Sequence, residues 1–261
     1  MQNADYHKDP AISASHLHSV AISPLHYWRR FRDPNRPVAE PTAAMRLGSL
    51  VHCAVLEPDE LINRYAIAPD RRTKEGRAEA AAMVASGIEP VSANDLEQAM
   101  AMSAVVRSHP TAALLLADGK AEQSFWFDDF DTGLRCKCRP DWHNGHTLID
   151  LKTTTDASPS GFARAIAVWR YHVQAAHYLA GTFAQRFVFI AVEKSYPFGI
   201  GIYELDAEAL ERGKELRRHD LQVIADCEAT GEWPGYGDSV QSLSLPGWAL
   251  NAQATITSED F

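Results

Sequence analysis

The chain has 261 residues and a formal net charge of −9, from 25 Lys and Arg against 34 Asp and Glu. Hydrophobic residues make up 46% and charged residues 23%, ordinary values for a globular protein with a sizeable core. The acidic balance excludes diffuse coating of nucleic acid, though not a local basic channel, and no apolar run is long enough to span a membrane.

The opening "MQNADYHKDP" is polar and carries no basic-then-apolar signal, so a cytoplasmic setting is expected. "ISASHLHSVAISPLHYWRRF" reads as two short helices, with Ser23 as N-cap and Pro24 at the first helical position of the second. "PNRP" and "AEPT" form a loop, and "AAMRLGSLVHCAVLEP" is a strong helix stopped by Pro58. "APDRRTKEG" is a basic loop, "RAEAAAMVASG" a helix closing on Gly87, and "SANDLEQAMAMSAVVRSHP" a helix with Ser92 and Asp95 at its start. "TAALLLADG" is a short helix ending at Gly119.

The character then changes. "AEQSFWFDDFDTGLRCKCRPDWHNGHTLIDLKTT" is aromatic and β-branched, with turn signals at "DTG" and "NG", and predicts three consecutive antiparallel strands. "SPSGFARAIAVWRYHVQAAHYLAGTF" returns to helix. "RFVFIAVEK" and "FGIGIYEL" are strands, and "DAEALERGKELRRHDLQVIADCEATGEWP" is a long helix. The pattern is α/β (α+β): one domain over 1–261, with a central mixed sheet of about five strands flanked by helices. Residues 1–120 are mainly helical, 121–205 hold the sheet and a helix, and 206–261 form a C-terminal helix and extension. Cys53, Cys136, Cys138 and Cys227 lack the spacing of a zinc or iron–sulfur site and read as reduced, buried thiols.

In "RCKCRPDWHNGHTLIDLKTTTD", Arg135 to Asp156, two acids and a lysine adjoin an apolar core. Taking Asn144-Gly145 as a two-residue turn sets Arg139 opposite Asp150, Asp141 opposite Leu148 and Lys137 opposite Lys152. Alternation puts Arg135, Lys137, Arg139, Asp141, Asp150 and Lys152 on one face, with Cys136, Cys138, Pro140, Ile149 and Leu151 on the other. Asp141 and Asp150 become diagonal neighbours about 7 Å apart at the backbone, where one divalent cation can sit between them. The aliphatic residues of "LIDLK" mark a central, covered strand, and an ammonium there is costly without a role. A self-neutralising charged face is the plain alternative.

These residues carry a resemblance. "RPD" followed nine residues later by "DLK" resembles the PD-(D/E)XK nuclease signature. "LGSLVHCAVLE", Leu47 to Glu57, resembles the helix motif of the RecB-like branch, and "VQAAHY" its Gln-x-x-x-Tyr motif, with Gln174 and Tyr178. "YHKDPAISASHLHSVAISPLHYW" and the run from "KCRPD" to "AHYLAG" resemble RecE-type (exodeoxyribonuclease VIII) domains of phages and prophages, so the likeness covers most of residues 6 to 200.

The resemblance implies a PD-(D/E)XK nuclease fold. It also implies a Mg²⁺- or Mn²⁺-dependent site, with two ions, that degrades linear duplex DNA from an end and leaves a 3′ single strand for an annealing recombinase. Asp141 and Asp150, with the Leu151 carbonyl, would hold metal; Glu122 and His52 would complete the ligands. Lys152 would orient water or stabilise the transition state, acting as a base only if its pKa were depressed. Gln174 and Tyr178, four apart on a helix of small residues, would support the site. Arg46 is the candidate phosphate grip; Trp28, Arg29 and Arg30 a candidate end-binding element; Arg71, Arg72 and Lys74 a candidate channel lining. A site- or structure-specific endonuclease and a non-catalytic DNA-binding assembly protein are the alternatives. Because an acidic surface repels phosphates, a homo-oligomeric ring, trimer or tetramer, is expected to confine the DNA.

Overall fold

The computed structural model describes residues 3–37 and 40–250. Helices α1 (Asn3–Lys8), α2 (Ala14–Val20) and α3 (Pro24–Tyr27) lead into a π turn over Trp28–Arg32. Ser23 starts α3 as expected, accepting the His26 N–H at 3.3 Å. Then come α4 (Ala43–Leu56), α5 (Leu61–Arg64), strand β1 (Tyr65–Ile67), α6 (Lys74–Ala85), β2 (Glu89–Val91), α7 (Ala93–Ser108) and α8 (Pro110–Leu115). β1 and β2 form a small parallel pair, three residues each and too short to show alternation in sequence. Lys74 opens α6, so only the front of "APDRRTKEG" is loop.

The other strands are β3 (Lys120–Ala121), β4 (Phe125–Asp128), β5 (Arg135–Cys138), β6 (Trp142–His143), β7 (Thr147–Thr154), β8 (Arg186–Glu193) and β9 (Ile200–Glu204). Helices α9 (Pro159–Trp169) and α10 (Tyr171–Gly181) separate β7 from β8; α11 (Ala207–Thr230) and α12 (Gly247–Leu250) follow β9. Five strands make the mixed sheet, in the order β3-β6-β7-β8-β9, parallel only between β7 and β8. The expected class is therefore the observed one.

β7 is the middle strand, and its residues Thr147–Leu151 are buried. Ile149 and Leu151 enter a core with Leu50 and Val51 of α4 and Met102 of α7. Leu148 points the other way, into a core with Phe162 of α9 and Ala175 of α10. Asp150 and Lys152 share the parity of Leu148 and so face α10. Each fully buried aliphatic side chain here contributes about 2 kcal/mol, and Leu151→Ala would cost about 2–5 kcal/mol.

Two expectations about this region are corrected. The three strands over residues 121–154 do not form one meander. β4 and β5 pair with each other in a separate two-stranded sheet, and Ile12 bridges to Cys136. Pro140, without an N–H to donate, lies in the segment that separates β5 from β6 along the chain. Lys137 is therefore not opposite Lys152. It is buried, and its Nζ donates to the carbonyls of Tyr6 and, at 2.7 Å, Asp9.

The β6–β7 turn is also wider than Asn144-Gly145 alone. Asn144 Oδ1 accepts the His146 N–H at 3.2 Å and the Thr147 N–H at 2.9 Å, closing a loop over residues 144–147. Trp142 then pairs with Ile149 and His143 with Leu148, two residues away from the expected register. A two-residue displacement preserves which face each side chain occupies. It brings Asp141, just outside β6, in line with Asp150 instead of diagonal to it.

Helix α10 is held from behind by α11. A Cβ at Gly213 would stand 2.2 Å from the His172 carbonyl oxygen, so only glycine permits this approach. Arg217 of α11 donates to Asp129 Oδ1 at 2.7 Å and to His177 Nδ1 at 3.4 Å. His177 Nε2 in turn donates to the Lys137 carbonyl at 3.1 Å. Burial, with Arg217 adding, pushes His177 down to about 4, so it serves as a neutral link between α10 and β5. The four cysteines are free and buried, as expected. Among the described residues, no helix is long and apolar enough to cross a membrane.

Candidate active site

The site lies where β7 passes the open end of β6, between α4 and α10. Asp150 is fully buried. Its Oδ1 accepts from Gln174 Nε2 at 2.7 Å. Its Oδ2 is paired with the Lys152 ammonium, Nζ lying 2.5 Å away. Asp141 sits where the backbone has left the ladder, and its Oδ2 accepts the Leu151 N–H at 2.7 Å. His52 Nδ1 stands 3.5 Å from the same oxygen.

Glu122 arrives from the bend after β3. Its N–H donates to the Asp141 carbonyl at 3.1 Å, and its φ of 53° is left-handed. Such a conformation costs about 1 kcal/mol or more for a non-glycine residue and tends to occur at functional sites. The bend turns the carboxylate inward, where Arg139 Nε lies 3.9 Å from Oε2. Arg139 also donates to Ser124 Oγ at 2.9 Å and stacks 4.7 Å over the Tyr6 ring.

The electrostatics follow from burial. Burial pushes the Glu122 carboxyl up to about 8; the Asp141 carboxylate adds to the rise and Arg139 opposes it. Burial also raises Asp150, with Lys152 opposing and Asp141 adding. For Lys152 burial disfavours the charge, but the carboxylates of Asp150 and Asp141 outweigh it and its pKa is raised. In the metal-free protein the two carboxylates thus favour Lys152 as an ammonium.

His52, Glu122 and Asp141 offer one ligand atom each, all within 4.8 Å of one another. Two carboxylates and an imidazole suit a divalent cation of the Mg²⁺ or Mn²⁺ kind. The fit rests on the donor set, two carboxylate oxygens and one imidazole nitrogen brought together from three separate segments. Asp150 lies outside the three-residue group, engaged instead by Gln174 and Lys152. Leu151, expected to offer its carbonyl, is seen here through its N–H.

Gln174 and Tyr178 both reach the site region, lining a cavity of about 450 Å³ together with Tyr171 and Arg30. Gly48 faces Thr153, but an added Cβ would make only an ordinary 3.8 Å contact with its Oγ1, so packing does not demand glycine there. The other basic candidates are less engaged. Arg29 pairs with Asp33 at 2.7 Å and lies 5.1 Å over the half-buried Trp28 ring. Arg46 is exposed and donates to the Pro41 carbonyl. Arg72 pairs with Asp70 at 2.8 Å, while Arg71 and Lys74 are exposed.

Three neighbours escape sequence reasoning. Arg139 stands inside the quoted "RPD", yet its partner Glu122 depends on the bend. Tyr171 places its ring 4.7 Å from Lys152 Nζ, and its spacing of three before Gln174 was the available signal. Tyr6 covers Lys137 and Arg139 from a helix far away in sequence.

No curated protein shows a significant match to this sequence. A candidate exonuclease from Eubacterium rectale superimposes with a TM-score of 0.62 at 14% identity, covering 96% of each chain, and this shows a shared fold. An alkaline exonuclease from Laribacter hongkongensis reaches only 0.31 at 15% identity, over 61% of this chain and 85% of that one, and carries no weight. Residues 13–246 match the family described as a PDDEXK-like domain of unknown function (DUF3799), which spans most of the chain, and the protein belongs to that family.

Proposed function

We propose that this protein is a divalent-metal-dependent exodeoxyribonuclease that degrades linear duplex DNA from an end and leaves a 3′ single strand for recombination. The observation that carries the reading is the convergence of Asp141, Asp150 and Lys152 with His52, Glu122 and Gln174 in one half-buried cluster. His52, Glu122 and Asp141 would hold the cation, Mg²⁺ or Mn²⁺, with Asp150 beside them. A cation there supplies charge neutralisation at the phosphate and lowers the pKa of a water.

The remaining work falls to the chain's own groups. Gln174 fixes the Asp150 carboxylate. Lys152, held as an ammonium, stabilises negative charge that builds on the phosphate in the transition state. The cavity beside Gln174 and Tyr178 has the exposed Arg30 among its lining residues and no acid, which suits an anionic strand on a chain of net charge −9. The same charge balance supports a ring of three or four subunits with basic residues turned to a channel, which would admit only DNA ends.

The test is digestion of linear and covalently closed plasmid with Mg²⁺ or Mn²⁺, with EDTA, and with Asp150→Asn. Loss of linear DNA only, abolished by EDTA and reduced by several orders of magnitude in the variant, supports the reading. Full activity in EDTA refutes the metal mechanism. Equal attack on closed circles refutes the end-dependent one. Light scattering that returns a monomer removes the ring.

A further inference from the structure

We infer that Tyr171 is a positioning residue for Lys152: its ring face gives the ammonium a second place to rest, so that Lys152 stays aimed at the reacting phosphate when a cation draws on Asp150. The inference rests on the proposed nuclease reading for its kinetic part, and on this structure alone for its spectroscopic part.

The geometry is specific. Lys152 Nζ is held between Asp150 Oδ2 at 2.5 Å and the Tyr171 ring centroid at 4.7 Å. Tyr171, Gln174 and Tyr178 are spaced by three and four along α10, so one helix face meets the functional face of β7. Tyr171 covers the lysine while Gln174 fixes the carboxylate next to it. The ring itself is held by Phe162, at 6.2 Å and 36°, and by Phe189, at 6.0 Å and 32°. Arg170, with φ of 56°, breaks the chain between α9 and α10 immediately before it and sets where α10 begins.

The physical need is competition. A divalent cation and an ammonium both seek the Asp150 carboxylate, and like charges repel. With Asp150 as its only partner, Lys152 would be displaced in a direction the fold does not define. An aromatic face attracts an ammonium through its quadrupole and stays neutral, so it does not compete for the cation. The inference concerns the face of the ring, and the hydroxyl is dispensable to it.

The experiment uses the full-length protein with Tyr171 replaced by Phe, by Leu, and by phenylalanines of increasing ring fluorination, which keep the shape while weakening the face. The first readout is the metal-free protein labelled with ¹³Cε-lysine, the Lys152 signal being assigned by its loss in Lys152→Gln. Ring-current shift of the Lys152 ε-methylene is expected in wild type and Tyr171→Phe and absent in Tyr171→Leu. The second readout is cleavage of linear DNA at saturating Mg²⁺. Tyr171→Phe, which keeps the ring face, should lose much less kcat than Tyr171→Leu. Tyr171→Leu should lose about tenfold in kcat with KM little changed, and kcat should fall stepwise with fluorination.

An unshifted Lys152 signal in wild type overturns the contact, whatever the protein cleaves. Equal kcat across the fluorinated series overturns the role, and this arm holds even if Tyr171→Leu does not fold. A tenfold loss in Tyr171→Phe would assign the effect to the hydroxyl and overturn it as well. Absence of cleavage by wild type, with the ring-current shift present, refutes the nuclease reading and not the contact.

Discussion

Replacing Glu122 by Gln tests how burial prepares the metal site. The Glu122 carboxyl is raised to about 8, because it is half-buried next to Asp141 and Arg139 only partly offsets both effects. A cation needs the carboxylate, so binding must expel that proton. With a pKa of about 8, Glu122 is roughly nine-tenths protonated at pH 7, and binding one ion should release about 0.9 proton from this group. Between pH 6 and pH 8 the carboxylate fraction rises about fiftyfold, and apparent affinity should rise with it.

Calorimetric titration with Mn²⁺ in two buffers of different ionisation enthalpy, repeated across that range, measures both quantities. Glu122→Gln should bind more weakly and lose most of the pH dependence, and the difference between the two proteins isolates this group from its neighbours. The metal-free fold carries the same signature. A pKa raised from 4.5 to about 8 means that the folded state holds the proton more tightly than the unfolded chain. That contribution is complete below about pH 4.5 and is lost as pH rises through about 8, so metal-free melting temperature should fall over this window and fall less in Glu122→Gln. The same slope of affinity against pH in both proteins would refute the assignment of Glu122 as a proton-bearing ligand.

Lys152→Ala should bind Mn²⁺ no more weakly than wild type, since the ammonium competes for Asp150, while cleavage falls by several orders of magnitude; calorimetry beside nuclease rates checks this, and collapsed metal affinity in a folded variant refutes it. Gln174→Ala leaves Asp150 Oδ1 without its donor and should cost about 1–3 kcal/mol of metal-free stability, seen as a lower urea midpoint that Mg²⁺ partly restores. Arg217→Met leaves Asp129 Oδ1 without its cation, with Thr132 still donating to Oδ2, and should cost about 1–3 kcal/mol, measured by the same unfolding titration.

The sequence by itself determined the strand containing "LIDLK" and its central position, because an uninterrupted aliphatic run with a charged step is tolerated only where both faces are covered. It also determined which face Asp150 and Lys152 share, since strand parity survives even the two-residue register change at Asn144. The Gln174–Tyr178 helix face was legible for the same kind of reason, a fixed period.

What only the tertiary structure decided are relations between segments without a shared period. β5 pairs with β4 in its own small sheet, so Lys137 ends under Tyr6 and not across from Lys152. The left-handed bend at Glu122 aims a carboxylate at Asp141 and Arg139, and no residue type announces a positive φ in "AEQS". The approach of α10 to β7, fixed by Gly213 behind it and by Phe162 and Phe189 around Tyr171, sets the Tyr171 ring beside Lys152. Such contacts are set by packing between elements distant in sequence, where volume and close approach decide the outcome.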